Sequence, residues 1–96
     1  MPTFITLMNF TDQGARNIKD SPDRYEAFKQ VAEAAGITIK SVHWTQGAYD
    51  LVLVTEGPEE ASMVTALKVA ALGNVRTQTL RGYSAKEMRH FVSKLG

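Results

Sequence analysis

Two segments of the chain, Thr3–Phe10 and Ala48–Glu56, carry apolar side chains at odd and even positions alike. Successive side chains of a strand point to opposite faces, so a strand with one wet face alternates apolar and polar residues. Phe4, Ile5, Leu7, Met8 and Phe10 break that alternation in the first segment, and Leu51, Val52, Leu53 and Val54 break it in the second. Both faces of both strands therefore need cover. That requirement governs the architecture expected of the rest of the chain.

The second of these strands reads as half of a hairpin. Ile37–Thr45 is its partner and Gln46–Gly47 the expected turn. With that turn, Thr45 faces Ala48, Trp44 faces Tyr49 and His43 faces Asp50. One face then carries Ile39, Ser41, His43, Asp50, Val52 and Val54; the other carries Lys40, Val42, Trp44, Tyr49, Leu51 and Leu53. A slip of one residue would exchange the faces of one strand.

Helix signals flank the hairpin. Ser21-Pro22-Asp23 offers a cap, a proline for the first turn and a carboxylate near the positive end of the helix dipole. Tyr25, Phe28, Val31, Ala32 and Ala35 follow as one stripe, and Gly36 ends it. Gly57-Pro58-Glu59-Glu60 opens a second helix with an expected inner stripe of Ala61, Val64, Leu67 or Lys68, Ala71 and Leu72, ended by Gly73. The polar stretch from Thr11 to Asp20 reads as the longest loop. Asn74–Gly82 is a fourth strand, β-branched but polar, which suits a sheet edge or a pocket wall. Ser84-Ala85-Lys86-Glu87 has the spacing of a capping box, and Met88, Phe91, Val92 and Leu95 recur behind it on one helical face.

The resulting order, β-α-β-β-α-β with an added C-terminal helix, predicts an α+β ferredoxin-like sandwich with strand order 4-1-3-2 and both crossover helices on one face. Those helices leave the other face of the sheet bare. A second subunit's sheet covering it, as in a dimeric α/β barrel, reconciles the topology with strands that are apolar on both sides. The closing helix must likewise rest on its own domain or on a partner subunit. At 96 residues there is room for one small domain, often marginal alone, which again favours a homodimer or higher homo-oligomer.

Composition removes several functions. Eleven basic residues balance ten acidic ones, a poor field for phosphates, so no nucleic-acid partner is expected. The RNA-recognition modules share this strand order, but the central strands here lack an exposed aromatic platform flanked by Lys and Arg. With no cysteine, disulfides, thiolate metal sites and Cys nucleophiles are excluded. No leader-like start and no membrane-length apolar run is visible, so a soluble cytoplasmic protein without membrane partners is expected. No Gly-x-Gly-x-x-Gly, Walker or Gly-x-Ser-x-Gly spacing occurs, and no cofactor is indicated.

Asn9-Phe10-Thr11-Asp12-Gln13-Gly14, the hairpin Trp44-Thr45-Gln46-Gly47-Ala48-Tyr49-Asp50, and Gly73-Asn74-Val75-Arg76-Thr77-Gln78-Thr79-Leu80 together resemble the GYD-domain family. The Gly-Tyr-Asp triplet is not contiguous here: Gly47 precedes Tyr49-Asp50 by one extra residue. The resemblance implies a small bacterial or archaeal domain of the dimeric α/β-barrel type and no settled activity.

Among ionisable residues, His43 and Asp50 are the best catalytic candidates, since opposed residues on an antiparallel ribbon have Cβ atoms about 4.5–5.5 Å apart. Such a dyad raises the basicity of the free ring nitrogen; the plain structural reading is a cross-strand hydrogen bond that fixes register. One His and one Asp form an incomplete metal shell, and no metal is assigned, although a site shared across a symmetry axis would complete it. Trp44 and Tyr49 are expected to stack, as core or as the wall for a planar ligand. Arg76 can fork onto a carboxylate, either a ligand's or that of Asp50. Asn9, Thr11, His43, Trp44, Tyr49, Asp50 and Arg76 thus form the expected lining of a small-molecule pocket, set between sheet and helices or at a subunit interface. The alternative is an assembly module in which the same residues only fix register and subunit orientation.

Overall fold

The computed structural model describes residues 1–96. β1 (Thr3–Phe10) runs through the middle of a four-stranded antiparallel sheet. β3 (Leu51–Glu56) pairs with it on one side, from Thr3 opposite Glu56 to Met8 opposite Leu51. β4 (Val75–Gly82) pairs on the other, from Thr3 opposite Gly82 to Phe10 opposite Val75. β2 (Thr38–Trp44) lies outside β3, giving the order β2-β3-β1-β4. This is the expected ferredoxin-like order, with a helix in each crossover.

The segment expected as the longest loop is instead ordered. It forms α1 (Asp12–Arg16) and a single 3-10 turn (Ile18–Asp20) before α2 (Ser21–Ala34). Thr11 starts α1: its hydroxyl oxygen accepts from the Gly14 amide at 3.2 Å. Ser21 is the first residue of α2 and not its side-chain cap; it is buried, and Pro22 sits in the first turn.

α2 and α3 (Glu59–Ala71) lie on the same side of the sheet. They share that side with the face carrying Phe4, Thr6, Met8, Leu51, Leu53 and Thr55. The buried core is small. It centres on Met8, Leu51 and Leu53, with Tyr25, Phe28, Ile39, Val42 and Val75 packed around them. From α2, Ala32 is fully buried while Val31 is turned outward.

α3 presents a different face from the one expected. Thr65 is its buried residue, and Ala61, Ser62, Ala66 and Val69 are half-buried on the same side. Val64, Leu67 and Leu72, expected inside, are exposed together with Met63. The sheet beneath is lined by Thr6, Thr55, Thr77 and Thr79, so small and hydroxylated side chains of α3 meet it. The longer aliphatic residues are left on the outer surface.

The opposite face of the sheet carries Ile5, Leu7, Val52, Val54 and Leu80, and no element of the chain covers it. α4 (Ala85–Val92) and the 3-10 turn Ser93–Leu95 extend the particle to 53 × 31 × 18 Å. The capping box at the start of α4 forms as expected: the Glu87 amide donates to Ser84 Oγ at 3.1 Å, and the Ser84 amide donates to the Glu87 carboxylate at 3.0 Å. That donation, with Arg81 nearby, holds the Glu87 carboxyl below its ordinary value.

Candidate functional site

The hairpin register settles the His43–Asp50 expectation first. His43 stands opposite Val52, and Trp44 opposite Leu51, two residues further along β3 than a Gln46–Gly47 turn gives. The connection is wider. The Thr45 amide donates to the Asp50 carbonyl at 2.9 Å, and the Thr45 hydroxyl closes the loop on the Tyr49 carbonyl at 2.6 Å. His43 and Asp50 are therefore not paired. A shift of two keeps Ser41, His43, Val52 and Val54 on one face and Val42, Trp44, Leu51 and Leu53 on the other, as expected. A bulge between Ile39 and Ser41 moves Ile39 opposite Thr55, onto the helix side, reversing its expected face.

Asp50 has a backbone role. β1 runs two residues past its last pair with β3, Met8 opposite Leu51, which leaves the Phe10 amide without a ladder partner. The Asp50 carboxylate accepts it at 2.9 Å, while the Asp50 amide donates to the Met8 carbonyl at 2.8 Å. Arg76 lies opposite Asn9 on β1 and forms no pair with Asp50; the ion pair of the chain joins Arg81 and Glu87 at 3.9 Å.

Thr11 is occupied in the same way. Its amide donates to the Asn74 carbonyl at 3.1 Å and its hydroxyl to the Gly73 carbonyl at 2.6 Å. Beside it the Gln13 side-chain amide donates to the Leu72 carbonyl and to Asn74 Oδ1, both at 3.0 Å. Gly14 is buried against this turn, where an added Cβ would overlap the Asn74 carbonyl oxygen. The first and last segments of the quoted resemblance thus meet in one hydrogen-bonded knot.

Trp44 and Tyr49 part company. Trp44 lies on the helix side, edge-on to Tyr25 at 5.8 Å, and its indole N–H donates to the buried Ser21 hydroxyl at 3.0 Å. The Tyr49 hydroxyl reaches Gln78 at 3.1 Å on the open side. Of the seven residues expected to line a pocket, Asn9, His43, Tyr49 and Arg76 belong to the open side, Thr11 and Asp50 are held by backbone groups, and Trp44 alone borders a cavity. No three His, Asp or Glu side chains converge on one metal position.

Two cavities do lie between helices and sheet. One of about 80 Å³ is bordered by Trp44, Tyr25, Phe28, Leu51, Ser21 and Arg24, among others. One of about 260 Å³ runs beneath α3 and is edged by Glu59, Ser62 and the threonines of the sheet. Met8, Phe28, Leu53 and Val69 border both, so the two spaces adjoin. Arg24 escaped the sequence reading. Its signal was spacing: Arg24, Phe28 and Ala32 recur every fourth residue, which puts a guanidinium on an inward stripe.

The GYD domain model matches residues 4–92. The "Glutamine synthetase and cystathionine beta-lyase binding protein" of Thermus thermophilus is 33% identical over 90 residues, which span 92% of this chain and 95% of that protein. No helix is long and apolar enough to cross a membrane. The match takes in the sheet, both crossover helices, the knot at Thr11 and Asn74, and α4: the chain belongs to the GYD-domain family.

Proposed function

We propose that this chain is a homo-oligomeric module that binds other proteins. The observation that carries this reading is surface left without an intramolecular partner. The chain exposes 6693 Å², against roughly 5,500 Å² for a compact monomer of 10.6 kDa. Its radius of gyration is 14.8 Å, where a domain of this length averages about 12.5 Å. The excess, about 1,200 Å², is more than the roughly 800 Å² that each partner contributes to a standard interface.

The excess is apolar in three places: the open sheet face, the outer stripe of α3, and α4. Met88, Phe91, Val92 and Leu95 are 44–84% exposed. A helix of two turns does not persist in water on propensity alone, so α4 needs something to lie against. A second copy's sheet suits the first surface, since its Ile, Leu and Val side chains match those of the facing sheet. Asn9, Tyr49 and Arg76 then form the polar corner that sets the angle between the copies. The α3 and α4 surfaces are left for a different protein. The name of the Thermus thermophilus relative makes glutamine synthetase and cystathionine β-lyase the first partners to test.

The experiment combines sedimentation velocity with biolayer interferometry against both purified enzymes, using the wild type and Phe91→Glu. The reading expects a dimer or larger particle at micromolar concentration, saturable binding to at least one enzyme, and at least tenfold weaker binding by F91E. A monomer that binds neither enzyme overturns it. An oligomer that binds neither supports the narrower alternative of a self-assembling module without further partners.

A further inference from the structure

We infer that the smaller cavity, beneath α2, is a binding site for a small organic carboxylate with an apolar body, and that Arg24 is its counter-ion. This goes beyond the protein-binding reading and does not depend on it, because the cavity faces the helices and not the open side of the sheet.

Arg24 borders the cavity and has no anionic partner in the chain. Arg24 Nη1 donates to the Asn17 carbonyl at 2.8 Å. Arg24 Nη2 is buried and has no hydrogen-bond partner. A buried donor left unbonded is costly, the more so on a charged group. No Asp or Glu borders this cavity, and no carboxylate of the chain pairs with Arg24. An acceptor from outside the chain, carrying negative charge, satisfies both the bond and the charge. A guanidinium presents parallel N–H donors that match a carboxylate.

A second donor is at hand. The Ser21 hydroxyl oxygen already accepts from the Trp44 indole, so its own proton is the one free to donate. Arg24 offers donors only and Ser21 a donor beside its one remaining lone pair, a set that suits an anion better than an amine. Ten of its thirteen bordering residues are hydrophobic, among them Met8, Tyr25, Phe28 and Leu51, and Asn74 is the third polar one.

Size narrows the class. The cavity is small, about 80 Å³. A longer body runs past Met8, Phe28 and Leu53 into the larger space under α3. The ligand class is thus a short aliphatic or single-ring monocarboxylate, with its charged end at Arg24 and its body along the sheet.

The single tryptophan borders the cavity and reports on it. Sodium hexanoate, 1-hexanol and hexylamine are titrated separately at constant ionic strength into the full chain, reading Trp44 emission and the ¹H–¹⁵N resonances of the Trp44 indole and the Arg24 Nε. Hexanoate is expected to produce saturable shifts at both, with affinity at least tenfold above 1-hexanol, and hexylamine to be weaker still. In Arg24→Gln the hexanoate affinity falls to that of 1-hexanol. Equal response to hexanoate and hexanol in the wild type, or absence of any saturable shift at Trp44, overturns the assignment. So does hexanoate binding unchanged in R24Q. If R24Q fails to fold, the wild-type Arg24 Nε resonance decides alone: a carboxylate that leaves it unmoved is not bound there. Failure of either enzyme to bind in the assays above leaves this outcome unaffected.

Discussion

Replacing Asp50 by alanine separates a carboxylate that supports the backbone from one that performs chemistry. Its side chain makes one hydrogen bond, from the Phe10 amide at 2.9 Å. The amide and carbonyl of Asp50 bond to Met8 and Thr45 and survive the substitution. The loss is therefore a single charge-assisted bond plus an orphaned N–H. Hydrogen bonds to charged groups contribute roughly 1.5–3 kcal/mol, and because this one is only partly buried, water recovers some of that. A net loss of about 1–2 kcal/mol lowers the melting temperature of a domain this size by about 4–16 °C. Asp50→Asn keeps an acceptor oxygen but not its charge and is expected to lose about half as much. Calorimetry and urea unfolding at one fixed protein concentration, so that any association is held constant, measure both. Unchanged melting temperature and urea midpoint in D50A would refute the argument, and would return Asp50 to the list of groups free for a ligand.

Gly14→Ala is expected to destabilise by about 1–3 kcal/mol or more, because the new methyl overlaps the Asn74 carbonyl oxygen and the obstructing atom is backbone; the urea midpoint reads it. Val52→Glu places a charge in the middle of the open face, and sedimentation velocity is expected to show a shift toward monomer at micromolar concentration while far-ultraviolet circular dichroism is retained. The Glu87 carboxyl, held below its ordinary value of 4.5 by the Ser84 amide and then by the Ser84 hydroxyl and Arg81, stabilises α4 most fully above that value. The contribution is lost as pH falls through the lowered one, so ¹³Cα shifts of residues 85–92 should stay helical past pH 4.5 and decline only in stronger acid.

The strand order was legible because each element is punctuated: Ser21-Pro22, Gly36, Gly57-Pro58 and Gly73 mark the helix ends, and the apolar runs between them have strand length. The Ser84–Glu87 box was legible for the same local reason. What escaped depends on groups distant in sequence. α1 is five residues long and is held by bonds from Thr11 and Gln13 to the turn at Leu72–Asn74, which no local pattern discloses. The hairpin loop is widened by a threonine hydroxyl that a tight-turn rule ignores. The inner face of α3 went astray because periodicity ranks Val64 and Leu67 above Ser62 and Thr65, whereas a sheet surface rich in threonine takes the small residues. The sequence brought out the ionisable residues near the hairpin, but it could not show that Thr11 and Asp50 are consumed by backbone groups or that Arg24 is left with a donor to spare.

The central position of β1 has a kinetic consequence. Its ladder to β4 joins Thr3 to Gly82, so the first strand of the sheet waits for the fourth. Until residue 82 leaves the ribosome, one edge of an apolar strand stays unpaired and open to pairing with a neighbouring nascent chain. Contacts this far apart slow the closing step as well. Polysomes that translate this message side by side would bring such edges together early.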